Sequence, residues 1–409
     1  MKKKRVFVAW SLVILCAGSI LAIVPLARSI QRLVSGSLGR SAFGYLVLAS
    51  IVCFLASMVW LLFFRLKIRH FSNYLVLILV GAAYVYFTLK LWKHPEEAVH
   101  FLEYGLLSFL LYRALRNHYS DITIYFSSLF IGTFVGINDE ILQWITPNRY
   151  WDFRDVGLNA LAVLLFQIAL ALGIRPRGIA NRPSARSLSF ASIWLSINLI
   201  LLGLCFSNTP SRVAAYTRLF PSLSFLQKEE IMHDFGLKRH SLPGIGVFYS
   251  RLILEEIKET DRSRAEEFAA ILNTWKDKPY EEFLRLYSAQ TKPFLHEFRV
   301  RVFRRDQKIN EAKMLPSGSK RAAAMLAGYR ENLFLETYFG HTLRASGYAW
   351  PASRQQEIRG QVDPEATYRS PVGDSFSPFR NETTLWTGIG ILLAIMLLIN
   401  WTYRRWQGR

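Results

Sequence analysis

The stretch GINDEILQWITPNRYWDFRDVGLN, Gly136–Asn159, ends one apolar run and opens the next. Between the two it gathers Asp139, Glu140, Gln143, Arg149, Asp152, Arg154, Asp155 and Asn159. Pro147 cannot sit inside a helix that reaches from Gln143 to Arg149, so a turn is expected there. Flanked by apolar helices, this is a polar turn at the mouth of two membrane spans. Such backbone persists at membrane depth only when buried in protein or facing water.

Working outward, eight apolar runs approach the roughly 20 residues needed to cross about 30 Å of hydrocarbon. They are 6–26, 43–64, 74–91, 98–115, 122–137, 156–174, 188–206 and 384–401. The chain of 409 residues is 51% hydrophobic, in keeping with that count. The first run follows MKKKR but has no small-residue cleavage site, so it reads as a span rather than a signal peptide. The fourth and fifth are short and carry polar residues. The predicted class is therefore all-α: a polytopic membrane helix bundle of about eight transmembrane helices. A helical extracytoplasmic domain lies between the seventh and eighth spans. The expected parts are 1–69 (two spans), 70–175, 176–206 (linker and seventh span), 207–383 (outer domain) and 384–409 (last span and basic tail).

Lys and Arg near span ends set the orientation. With the N-terminus cytoplasmic, the cytoplasmic segments hold sixteen Lys and Arg and the short outer loops seven, which places both termini inside and 207–383 outside. The first outer loop, with Arg28, Arg32 and Arg40, is an exception. The net charge of +20 is then mostly a positive-inside flank attracted to anionic lipid, not a nucleic-acid footprint. Cys16, Cys53 and Cys205 all fall within runs and lack the spacing of a disulfide framework or zinc site.

The long polar segment reads as helical, with Phe268, Ile271, Leu272 and Trp275 on one face. Asp261 is a candidate N-cap for that helix, Pro279 suits the start of the next, and no hairpin pattern is evident. Ser317–Lys320 matches Ser-x-x-Lys without its companion motifs. The acceptor pattern at Asn381 lies beside the last span. His233, His240 and His341 read as packing or surface residues.

The chemistry concentrates at one membrane face. His100, Glu103 and Tyr104 share a face of the fourth span, Asp139 and Gln143 one of the fifth, and Asp152, Asp155 and Asn159 one of the sixth. Ionisable groups near a span are expected to face inward and pair, with Arg149 meeting Asp152 or Asp155. The plain reading is a clasp holding three helices in register. The functional one is a pocket for a ligand headgroup.

HFLEYGLLSFLLYRAL followed by DEILQWITPNRYWDFRDVGLNALA resembles the VanZ-like family of bacterial membrane proteins, over about residues 70–175. The matching positions are His100, Glu103, Asp139, Glu140, Gln143, Pro147, Arg149, Asp155 and Asn159. Ala162 departs from a frequent Gly. The resemblance implies a multi-pass protein of the bacterial cytoplasmic (inner) membrane, concerned with the cell envelope, and supplies no reaction.

Three functions follow. The leading one binds an anionic amphiphilic envelope component: membrane lipid or a lipid-linked precursor, with the outer domain covering the site or recruiting another membrane protein. It needs no cofactor. The second is a metal-assisted enzyme, with a divalent cation on Asp139, Glu140 and Asp155 and His100 with Glu103 as acid and base. The third is a transporter, for which no inverted repeats are visible. No nucleic-acid partner is expected.

Overall fold

A computed structural model describes residues 2–39, 41–92, 94–147, 149–227, 232–289, 291–372 and 381–407. Arg40, Lys93, Arg409 and the end of the Pro- and Gly-rich tail (373–380) lie outside them. Among the described residues the chain is mostly helical, with one small two-stranded sheet. It divides into two compact units, 1–207 with 381–409, and 208–380.

The first unit holds α1 (Lys2–Ile23), α2 (Ala27–Leu38), α3 (Ala42–Trp60), α4 (Phe71–Lys90), α5 (His100–Leu115), α6 (Thr123–Ile145), α7 (Phe153–Ile168) and α8 (Ala185–Ser207), closed by α16 (Glu382–Gln407). All eight apolar runs are helical. Among the described residues, six helical stretches are long and apolar enough to cross a membrane. The other two runs are α5, of 16 residues, and α6, whose 23 residues include Asn138, Asp139 and Glu140. Both pack against α7, α5 also against α1 and α6 against α8. Their neighbours, not their own apolarity, account for their place in the core.

Two small residues bring α6 and α7 close. A Cβ on Gly132 would stand 2.7 Å from Val163 Cγ2, and one on Gly136 2.8 Å from Asn159 Cβ. Gly132 and Gly136 form a Gly-x-x-x-Gly step, the spacing that lets helix backbones approach in membranes. At the other end of α6, Asp121 accepts from Thr123 N (3.0 Å), Ser184 N (3.2 Å) and Ser187 Oγ (2.7 Å). That carboxylate ties the start of α6 to the start of α8. α16 lies along α8, with Trp386 Nε1 donating to Ser207 Oγ at 2.9 Å and Asn400 Nδ2 to Ser192 Oγ at 2.8 Å.

The second unit contains α9 (Pro210–Leu219), α10 (Leu254–Thr274), α11 (Tyr280–Leu286), α12 (Pro293–Met314), α13 (Ser319–Tyr338), α14 (Gly340–Ala345) and α15 (Ala352–Arg359). Its core is aromatic, with Phe248, Phe283, Phe298, Phe334 and Phe339 fully buried. Two expectations need correction. First, β1 (Lys238–Leu242) and β2 (Gly246–Ser250) form an antiparallel hairpin in which Leu242 faces Gly246. β2 carries most of the inward apolar residues; β1 adds only Leu242, and its Lys-Arg-His-Ser has no apolar alternation to reveal it. The turn shows as Pro243–Gly244, with Gly244 at φ +69. Second, Asp261 lies inside α10, which begins at Leu254 and bends at Arg264. Its carboxylate caps a different helix, accepting from His341 N and Thr342 N, each at 2.8 Å, at the start of α14.

His296 on α12 contacts the Tyr287 carbonyl at 3.2 Å. Burial, helped by the Arg251 charge, pulls its imidazole down to about 4, against the opposing pull of that carbonyl. The unfolded chain takes up this proton near its ordinary value of about 6.5. Stability of the second unit is therefore full above that value and falls as pH drops from about 6.5 toward 4. His296→Asn should flatten this part of the profile, as read by urea unfolding across pH. An unchanged slope would show that another group carries it.

Candidate functional site

The site is built where α5 begins, α6 ends and α7 begins. On α5, one helical turn puts His100, Glu103 and Tyr104 on one side. His100 Nδ1 is 3.4 Å from Glu103 Oε2 and 3.9 Å from Asp139 Oδ2, and Tyr104 OH donates to Asp139 Oδ2 at 3.1 Å. Asp139 thus joins α6 to α5. The next residue, Glu140, points to the turn and to α7: it accepts from Gln143 Nε2 and, at 3.3 Å, from the backbone N–H of Asp152. Gln143 in turn accepts from Arg149 Nη2. α6 stops at Ile145, Thr146 is extended, and the chain folds back over the carboxylates. Pro147 lies where the helix has already ended, as the sequence requires.

Asp152 is the N-cap of α7, accepting from Arg154 N at 2.7 Å. An acceptor there satisfies one of the free N–H groups of the first turn. Arg154 reaches three carboxylates: Glu97 Oε2 at 2.8 Å, Asp155 Oδ1 at 3.4 Å and Asp152 Oδ2 at 3.5 Å. The guanidinium on Asp152 and Asp155 is therefore that of Arg154, whereas Arg149, expected to hold them, donates to Gln143. Arg154 lies within the first turn of α7, next to both carboxylates in sequence, which explains the exchange.

Depth grades the site. Asp139, Glu140, Gln143 and Asn159 are buried. His100, Glu103, Arg149, Asp152 and Asp155 are half-buried, and the Arg154 side chain keeps 55% of its surface exposed. There is a closed floor and a rim with room for contact. On the floor, Glu140 is fully buried and its hydrogen bonds come from two neutral donors, an amide and a backbone N–H. Asn159 is wholly buried, and neither its Nδ2 nor its Oδ1 has a hydrogen-bond partner. It stands at the close approach to Gly136, where Tyr104 Cε1 also lies. A buried amide left without partners costs about 1–3 kcal/mol. The floor therefore holds unmet hydrogen-bonding capacity.

All nine sequence-picked residues are near this mouth, although not all touch. Among the described residues, no three His, Cys, Asp or Glu side chains are grouped to hold a metal ion, Asp139, Glu140 and Asp155 included. Sequence reading did not assign roles to Arg154, Glu97, Gly132 and Gly136. The Gly-x-x-x-Gly spacing was a usable signal; the Glu97–Arg154 pair spans 57 positions and had none.

Residues 21–172 match the model of the VanZ/LLP1 family. The match covers the whole site and starts well upstream of residue 70, taking in the end of α1 together with α2 and α3. No curated protein and no solved structure matches the chain.

Proposed function

We propose, with residues 21–172 as a VanZ-like membrane region, that the α5–α6–α7 mouth binds the polar headgroup of an anionic amphiphile of the bacterial envelope. The observation that carries this is Asn159, a wholly buried amide without partners on the floor of a cluster whose rim is partly open. A headgroup phosphate meets Arg149 at the half-buried rim, where a planar guanidinium matches phosphate geometry. The floor is rich in acceptors, so the same headgroup brings hydroxyl or amine donors toward it. Charge asymmetry along the sequence supports eight crossings of the cytoplasmic membrane, both termini inside and residues 207–383 outside. In that topology the mouth opens on the outer face.

Native mass spectrometry of the protein released gently from its own membrane tests the proposal. A lipid adduct should survive in the wild type and bind roughly 10- to 100-fold more weakly in Arg149→Ala, the loss of a charge-assisted hydrogen bond. Asn159→Leu should lose it as well, with thermal stability unchanged or raised. An adduct indifferent to both variants, or none at all, would reduce the cluster to a helix clasp. A stoichiometric divalent metal lost in Asp139→Asn would favour the enzyme reading instead.

A further inference from the structure

The helical run from Lys2 to Leu38 is longer than a crossing needs. At 1.5 Å per residue it spans about 55 Å, against about 30 Å of hydrocarbon. Pro25 divides it, followed by the twelve residues of α2, none of them buried. The faces of α2 are nonetheless sharply different. Ala27, Gln31, Val34 and Ser35 share one sector and are half-buried; Gln31 Nε2 donates to Glu96 Oε1 at 2.8 Å, which fastens this side to the bundle. Leu26, Ile30 and Leu33, at i, i+4 and i+7, form a second sector that is exposed, Leu33 by 72%. Arg28 and Arg32, at i and i+4, form a third, also exposed.

We propose that α2 lies in the membrane interface, with Leu26, Ile30 and Leu33 among the acyl chains and Arg28 and Arg32 on the phosphates of anionic lipid. Two observations select lipid over a protein partner. The apolar sector continues the exposed surface of α1, where Phe7, Ile14 and Leu15 are 67–72% exposed along a span. The arginines flank that sector as basic residues flank the apolar face of interfacial helices. The arrangement also accounts for basic residues in a loop where the positive-inside pattern fails: these are bound to headgroups by an amphipathic helix rather than marking a side. Nothing in it depends on the headgroup site.

Site-directed fluorescence in the full-length protein tests this. Cys16, Cys53 and Cys205 are replaced by Ser, and a bimane label is placed on Leu33→Cys or Gly36→Cys, the latter on the basic side. The proteins are studied in nanodiscs containing phosphatidylglycerol and phosphatidylcholine. The Leu33 label should be quenched by lipids with a nitroxide high on the acyl chain and shielded from aqueous iodide; the Gly36 label should show the reverse. Nitroxide phosphatidylglycerol should quench Leu33 more strongly than nitroxide phosphatidylcholine, and that preference should fall about fivefold for each of Arg28→Gln and Arg32→Gln. Quenching of the Leu33 label by iodide overturns the proposal. So does protection from both quenchers, which would place a second copy of the chain on this face. Equal quenching by the two lipids overturns the anionic recognition.

Discussion

Replacing Arg301 by Ala should destabilise the second unit by about 3–5 kcal/mol, the largest effect expected of any single substitution in the chain. Arg301 is completely buried on α12. Its Nε donates to Glu297 Oε1 at 2.8 Å, its Nη1 to Glu331 Oε2 at 3.1 Å and its Nη2 to the Tyr249 carbonyl at 2.6 Å. The guanidinium also lies 4.2 Å from the Phe334 ring centre. Glu331 is buried too and accepts from Tyr368 OH and Ser370 Oγ. Burial disfavours the Arg301 charge, yet the two carboxylates more than offset this and strengthen its hold on the proton. Removing the guanidinium strands two carboxylates among aromatic rings. Proteolysis within 208–380 as a function of urea measures the loss locally, so that the membrane unit does not mask it. Arg301→Met with Glu297→Leu and Glu331→Leu should recover much of the stability, because the cost lies in the stranded charges. A loss under about 1 kcal/mol in the alanine variant would mean that water reaches the network.

The second large effect is at Gly136. Adding even a methyl there drives a Cβ to 2.8 Å from Asn159 Cβ, and the helix backbone leaves neither partner free to step aside. Gly136→Val should cost about 1–3 kcal/mol, in line with overpacked cores, and should lower lipid retention at the mouth by moving Asn159. Gly157 is the control. A Cβ on it would meet nothing within 4 Å, so Gly157→Ala should gain up to about 1 kcal/mol from helix propensity alone. Thermal unfolding in nanodiscs, followed by tryptophan fluorescence, ranks the two. Equal effects would show that α6 and α7 are not held by close packing.

Much of this is legible in the sequence alone. Apolar length located α1, α3 to α8 and α16, because burial in lipid or in the bundle leaves a strong one-dimensional trace; α2, less apolar, read as an outer loop. Helical spacing placed His100 with Glu103 and Tyr104, and Pro147 ended α6. What the sequence concealed are the pairings that topology makes: Glu97 with Arg154, Gln143 with Arg149, and the cap that Asp261 supplies to α14 from 80 positions away. Side chains have no period to mark such partners. The β hairpin was missed for a related reason, since its outer strand buries little and so has no alternation to betray it. The family match, over residues 21–172, is also broader than the resemblance over about 70–175. The motif that carries the resemblance lies within α5 to α7, whereas α2 and α3 contribute packing and amphipathicity, which many sequences satisfy.

α6 has a consequence for how the protein is made. Its last two turns hold Asn138, Asp139 and Glu140, and α5 before it has only 16 residues. Neither is a good candidate to leave the insertion machinery for lipid by itself. Tyr104 satisfies Asp139 only once α5 is beside α6, and the Asp152 amide reaches Glu140 only once α7 has begun. Biogenesis therefore has to be collective. If α5 and α6 cross the membrane as proposed, they should partition into the bilayer together with α7. The same hydrogen bonds that build the mouth would then set the order of assembly, since a chain that fails to form them leaves Asp139 and Glu140 without these partners.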